Sequence, residues 1–184
     1  ASQLGCEKFI FASSIMEFET EKRITGNNKL ALSDIYSLCK RNAEQLGRVV
    51  AENAEIGYVC ALISNIYGPG EKSERLINSS IRKILKNEET AFSSGKQLYD
   101  FIYIDDAIEF LKAIGIQGKP GKTYYVGNET PKKLQEFLQI LGEEACPGRD
   151  IGIGRLQESV DGLTYREFDT KLARKELGVS CKVS

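Results

Sequence analysis

Two short apolar runs, separated by a stretch of helical character, constrain the fold more than any other feature of this chain. Residues 8–12 (Lys8-Phe9-Ile10-Phe11-Ala12) and 57–63 (Gly57-Tyr58-Val59-Cys60-Ala61-Leu62-Ile63) are rich in aromatic and β-branched side chains and have the length of buried strands. Between them a helix is predicted over 34–53, with Ser33 as N-cap and Ile35, Leu38, Leu46, Val49 and Val50 marking one apolar face. A strand–crossover–strand unit of this kind makes neighbouring parallel strands, the building block of a doubly wound α/β sheet.

The remaining pattern continues that alternation. Residues 15–33 lack clean periodicity and hold a turn signal at Gly26-Asn27-Asn28. A helix is expected over 74–86, a β-like segment over 98–104, and a helix opened by Asp105 or Asp106 and running through Ala113. Strand 123–126 precedes Thr130-Pro131, an N-cap followed by proline at the first helical position, and that helix reaches about 144. A short β-like stretch near 151–155 and a helix over 170–177, stopped by Gly178, complete the pattern.

With 184 residues and 41% hydrophobic content, the chain has material for a real core. Its 25 basic and 26 acidic residues leave no electrostatic footprint for nucleic acid or an anionic membrane. No apolar run approaches the roughly twenty residues that span a bilayer, so a cytoplasmic protein is expected. Five scattered cysteines without C-x-x-C spacing argue against a disulfide framework or a zinc site, and no metal is expected. The absence of histidine excludes Ser-His and Cys-His nucleophilic catalysis within the chain.

Acid–base chemistry is therefore sought elsewhere. The first apolar run ends in Ser13-Ser14, and the predicted helix carries Tyr36 and Lys40 at i and i+4, hence on one face. A positive charge beside a phenol favours the phenolate, the form that takes up a proton, and Ser14 can donate a hydrogen bond to the same substrate oxygen. Cys39, within the same helix, has no evident general base beside it. Further along come Ser64-Asn65-Ile66-Tyr67-Gly68-Pro69-Gly70 and Asp100-Phe101-Ile102-Tyr103-Ile104-Asp105-Asp106.

Taken in order, the serine pair, Y-x-x-x-K, S-N-I-Y-G-P-G and D-F-I-Y-I-D-D resemble the extended short-chain dehydrogenase/reductases. These are nucleotide-sugar epimerases, dehydratases and reductases, and the resemblance runs from about Phe9 to the end. It implies the C-terminal part of a Rossmann-like parallel sheet, over 1–65, and a small mixed α/β substrate-binding region over 66–184, with strand 123–126 returning to the main sheet. It also implies NAD or NADP as cofactor, a nucleotide sugar as substrate and a homodimer. By motif position, Ser14, Tyr36 and Lys40 are the catalytic set. Ala12, Tyr36, Lys40 and Ile63 lie along the cofactor, and Ser14, Asn65 and Tyr99 meet the substrate.

Three departures from the family pattern bear on this. The glycine-rich strand–turn–helix that holds a dinucleotide pyrophosphate is missing from the start, so the chain is expected to be part of a longer enzyme, lacking roughly the first hundred residues of such a fold. Leu62 and Tyr99 stand where the family often has arginines. Either Arg75, Arg82 or Lys83 takes over the phosphate, or the substrate differs from a standard nucleotide sugar. Epimerase, dehydratase and reductase all remain open. A non-catalytic dinucleotide sensor or scaffold of the same fold is the alternative, against which the retained Ser14, Tyr36 and Lys40 argue. An independent binding domain is a third reading, disfavoured by the bare first strand.

Overall fold

The computed structural model describes residues 2–157 and 163–183. Its elements in chain order are β1 (Lys8–Ser14), α1 (Met16–Thr25), α2 (Ile35–Asn53), β2 (Gly57–Ile63), β3 (Asn65–Tyr67), α3 (Leu76–Leu85), β4 (Leu98–Tyr99) and β5 (Phe101–Tyr103). There follow α4 (Ile104–Gln117), β6 (Thr123–Val126), β7 (Lys132–Lys133), α5 (Leu134–Ala145) and α6 (Leu172–Leu177). The architecture is α/β with a parallel main sheet, as the strand–crossover–strand pattern requires.

Two compact units make up the chain. The first joins residues 1–66, 101–129 and 166–184, and the second joins 67–100 and 130–165. The first unit is thus assembled from three stretches of sequence, and what returns to it includes α4 and the C-terminal residues as well as β6.

In the first unit the sheet order is β1-β2-β6, all parallel. Lys8 pairs with Gly57 and Ser14 with Ile63, so β1 and β2 end level with each other. Alternation along β2 separates two layers. Val59, Ala61 and Ile63 face a core built with Ile102, Ala107, Phe110, Ile114, Tyr124, Val126, Ala173 and Leu177, which places α4 and α6 on that side. Tyr58 and Cys60 face the other way and pack with Ala51 of α2, Phe11 and Ile56. Burying a residue such as Val59 completely contributes about 1.5–3 kcal/mol.

In the second unit α3 packs with α5, and β4 pairs antiparallel with β7, Tyr99 opposite Lys132. Gly152, at φ +83°, lies so close to Thr90 that an added Cβ would fall 2.3 Å from its carbonyl oxygen. That approach lets Thr90 Oγ1 donate to the Ile151 carbonyl at 2.8 Å and brings Phe92 beside Ile153, the β-like stretch reduced to one bridge.

Several local expectations are corrected. Residues 15–33, unperiodic in sequence, contain helix α1; its mean polarity hides it, with Glu17 and Thr20 as the buried positions. Ser33 does not cap α2, which follows a 3-10 turn at Leu32–Asp34; there Asp34 Oδ2 accepts the Ala31 N–H at 2.7 Å. Of the five apolar positions expected to mark the inner face of α2 only Leu38 is half-buried; Ile35, Leu46, Val49 and Val50 are 53–66% exposed. What faces inward is Ser37 and Ala51, with Lys40, Glu44, Gly47 and Arg48 half-buried between them.

The Asp105/Asp106 pair lies in the first turn of α4 without a side-chain cap bond, and Asp106 is 4% exposed. Its Oδ2 instead accepts the backbone N–H groups of Lys182 at 3.0 Å and Val183 at 2.9 Å, tying down the C-terminal segment. The Thr130-Pro131 start is likewise displaced: α5 begins at Leu134, where Glu136 Oε1 accepts the Lys133 N–H at 3.0 Å.

Candidate functional site

Parallel strands leave their carboxyl ends free on one side of a sheet, and that is where α/β folds bind ligands. Ala12, Ser14 and Ile63 occupy those ends of β1 and β2. The turn after β1 stays in register, with Ile15 N donating to the Ile63 carbonyl at 3.1 Å, and Ser14 Oγ accepts the Met16 N–H at 3.3 Å. Asn65, half-buried, opens β3 just beyond the end of β2.

Helix α2 brings Tyr36 and Lys40 to the same place. Lys40 Nζ donates to the Ala12 carbonyl at 2.7 Å, so the helix is pinned to the end of β1 by the very lysine the motif singles out. The ammonium lies 5.9 Å from the centroid of the Tyr36 ring and 5.4 Å from that of Phe11, within cation–π range of both. Tyr36 is 51% exposed, leaving its hydroxyl available to a ligand. The sequence-predicted Ala12, Tyr36 and Lys40 are therefore brought together, with Ser14 and Ile63 at the adjoining strand ends. Tyr99 belongs to the second unit, on β4. Arg82, a candidate phosphate ligand, is committed locally: it donates to the carbonyls of Glu71 at 3.3 Å and Ser73 at 2.7 Å and pairs with Glu74 at 3.0 Å.

Behind these residues lies a polar cluster that the sequence reading missed. Glu17, 5% exposed, accepts a hydrogen bond from Ser13 Oγ and a longer one, at 3.4 Å, from the Ser14 N–H. Burial pushes its carboxyl above the usual range; the Ser13 bond opposes this, and the charge of Glu44 adds to it. Glu44 is held by Arg48 at 2.6 and 3.0 Å, and Arg48 also donates to Thr123 Oγ1 at 3.0 Å and lies over the Tyr58 ring at 5.1 Å. Burial raises the Tyr58 phenol as well and pushes the Cys60 thiol up to about 12. A signal was present: Tyr36, Lys40, Glu44 and Arg48 follow at intervals of four, a polar stripe along one face of α2. A search for apolar periodicity passes over it.

The donor set suits the nicotinamide end of a dinucleotide. Lys40 keeps N–H donors beyond the one given to Ala12, Tyr36 is half exposed, and Ser64 Oγ just past β2 is buried without a hydrogen-bond partner among the described residues. Ribose hydroxyls and a carboxamide are groups such donors can hold.

Comparison with known proteins bears on the fold and the family of the chain. The chain is 26% identical over 170 residues to a dTDP-glucose 4,6-dehydratase of Neisseria gonorrhoeae, covering 86% of this chain and 49% of that protein. Its matches span from about a third to about half the length of the curated relatives. Among solved structures, UDP-glucose 4-epimerase of Thermotoga maritima, with UDP-glucose, superposes with a TM-score of 0.77 at 20% identity, over 100% of this chain and 61% of that one. UDP-glucuronic acid 4-epimerase of Bacillus cereus, in complex with UDP-glucuronic acid and NAD, gives 0.73 at 24% identity, over 97% and 57%. These likenesses establish the shared fold. The family model for the NAD dependent epimerase/dehydratase family matches residues 1–127, the stretch that carries β1, α2, β2 and β6, and the chain belongs to that family.

Proposed function

We propose that this chain supplies the acid–base side of an NAD(P)-dependent enzyme that epimerises, dehydrates or reduces a nucleotide sugar. The observation that carries the proposal is the Lys40–Ala12 bond of 2.7 Å, which ties the helix bearing Tyr36 and Lys40 to the carboxyl end of β1, the strand that ends in Ser14. A nicotinamide bound there supplies the hydride acceptor or donor for a sugar carbon. Tyr36 moves the proton of the hydroxyl on that carbon, and Ser14 donates a hydrogen bond to the same oxygen. Lys40 stabilises negative charge on the Tyr36 oxygen and offers its remaining N–H groups to the ribose. Asn65 and Tyr99 are assigned to the substrate by motif position alone.

Two further assignments accompany this one. The exposed apolar stripe of α2, with Ile35, Leu46, Val49 and Val50, supports a homodimer in which that helix meets a second copy. Five free cysteines support a reducing, cytoplasmic setting, and among the described residues no helix is long and apolar enough to cross a membrane.

The test is Tyr36→Phe in the whole protein, assayed with UDP-glucose and dTDP-glucose in the presence of NAD+. Loss of turnover by about a hundredfold, with NADH still bound, is expected for removal of a general acid–base group. Near-normal turnover removes Tyr36 from the chemistry.

A further inference from the structure

Side chains serve the outer edge of β1 at its carboxyl end. In this strand the odd positions bond to β2: Gly57 N donates to the Glu7 carbonyl at 2.9 Å and Ile15 N to the Ile63 carbonyl at 3.1 Å. In a parallel ladder the even positions then direct their N–H and C=O groups to the opposite side. Two of these are taken up locally, the Ala12 carbonyl by Lys40 at 2.7 Å and the Ser14 N–H by Glu17 at 3.4 Å.

We propose that Glu17 is a positioning residue for Ser14, its buried carboxyl fixing the strand-to-helix turn that presents the Ser14 hydroxyl. This rests on the role given to Ser14 above. A carboxylate serving only to begin α1 would do so from solvent, at no desolvation cost. Glu17 is instead 5% exposed, packed toward Glu44, and no ion pair reaches it among the described residues. Arg48, the nearby cation, is committed to Glu44. The acceptor capacity of Glu17 Oε1 goes to Ser13 Oγ and the Ser14 N–H, two adjacent groups at the strand end, and Ser13 is itself 3% exposed. Removing that acceptor takes the carboxyl partner from two neighbouring donors, one buried and one half-buried, and they regain an equivalent oxygen only if the turn moves. Ser14, whose Oγ is held by nothing stronger than the Met16 N–H at 3.3 Å, moves with it. A displacement of the order of 1 Å in a catalytic group costs about a hundredfold in rate.

Glu17→Met keeps the volume and removes the acceptor, whereas Glu17→Gln keeps an oxygen that can accept both bonds. In the whole protein, assayed with UDP-glucose and dTDP-glucose, Glu17→Met is expected to lower kcat about ten- to a hundredfold with KM little changed, and Glu17→Gln to recover most of it. In a Ser14→Ala background Glu17→Met is expected to add less than about threefold, since no hydroxyl remains to be positioned. Amide exchange at Ser14, read without substrate, should quicken in Glu17→Met and stay slow in Glu17→Gln. Independent losses that multiply in the double variant, or unchanged Ser14 exchange in Glu17→Met, overturn the positioning role while leaving the catalytic reading of Ser14 intact. Full activity of Ser14→Ala refutes that reading, and this proposal falls with it.

Discussion

Gly47→Ala tests how closely the helix that bears Tyr36 and Lys40 must approach the sheet. In an isolated helix the change stabilises by about 1 kcal/mol, because glycine is the costlier residue in a helix interior. Here the new Cβ would lie 2.9 Å from Tyr58 Cε2 and 3.2 Å from its hydroxyl oxygen, well inside the ordinary carbon contact of about 3.5–4.0 Å. The ring has little room to yield. Tyr58 is 5% exposed, with Arg48 over its face at 5.1 Å and the rings of Phe9 and Phe11 at 5.9 and 6.3 Å. Overpacking of this kind costs about 1–3 kcal/mol, so the packing penalty outweighs the propensity gain and a net loss of about 1 kcal/mol is expected. For a chain of this size that corresponds to a fall of roughly 2–4 °C in Tm. Relief by lifting α2 away from β2 would lengthen the Lys40–Ala12 bond from 2.7 Å, so NADH affinity should fall together with stability. Urea unfolding of Gly47→Ala, alone and with Tyr58→Leu, reads the balance. In the Tyr58→Leu background the clash is gone and the same alanine should stabilise. A midpoint raised by Gly47→Ala in the wild-type background would refute the close approach.

Lys40→Met removes a charge-assisted bond to the Ala12 carbonyl, of a class contributing about 1.5–3 kcal/mol, and should weaken NADH binding measured by fluorescence titration; unchanged affinity would place the cofactor elsewhere. The Glu17 carboxyl is raised in the folded protein above its unfolded value of 4.5, so the native state holds the extra proton and stability is lost as pH rises from that value through the folded one. The groups facing it are Ser13 and Ser14 of β1, Glu44 with its partner Arg48 on α2, and Tyr58 and Cys60 on β2, so urea midpoints against pH for wild type minus Glu17→Gln should isolate this loss. Cys60, buried and pushed up to about 12, should resist iodoacetamide at pH 8 while exposed Cys6 reacts, as peptide mass mapping would read. Val49→Glu with Val50→Glu should abolish self-association in light scattering and lower the urea midpoint only at protein concentrations where wild type is associated, since both side chains are more than half exposed in the single chain.

Much of the fold was legible because local pattern and tertiary role coincide in the strands. Residues 57–63 are apolar on both faces, and a strand covered on both sides by helices needs that composition. Strand 123–126 and the Gly178 stop were readable for similar local reasons: a β-prone apolar run, and a left-handed residue at φ +69°. Helix α1 was not, because its buried positions are Glu17 and Thr20 rather than leucines.

Sequence alone determined which acid–base side chains the chain has to offer. A chain without histidine, carrying Ser14 and a Tyr36–Lys40 pair one helical turn apart between two parallel strands, has a restricted choice of acid–base groups, and helix periodicity alone puts the phenol and ammonium on one face. Only the tertiary structure decided which face of α2 meets the sheet. Apolar periodicity pointed to Ile35, Leu46, Val49 and Val50, yet the inward stripe is small and polar because it must pass close to Tyr58 at Gly47, reach Ala12 through Lys40 and bury Glu44 with its own cation. Such a choice depends on what lies across the interface, and no residue within the helix records it. The same holds for Glu17: a carboxylate in the first turn of a helix reads as a surface residue until the strand end it folds back upon and the carboxyl it faces are brought beside it.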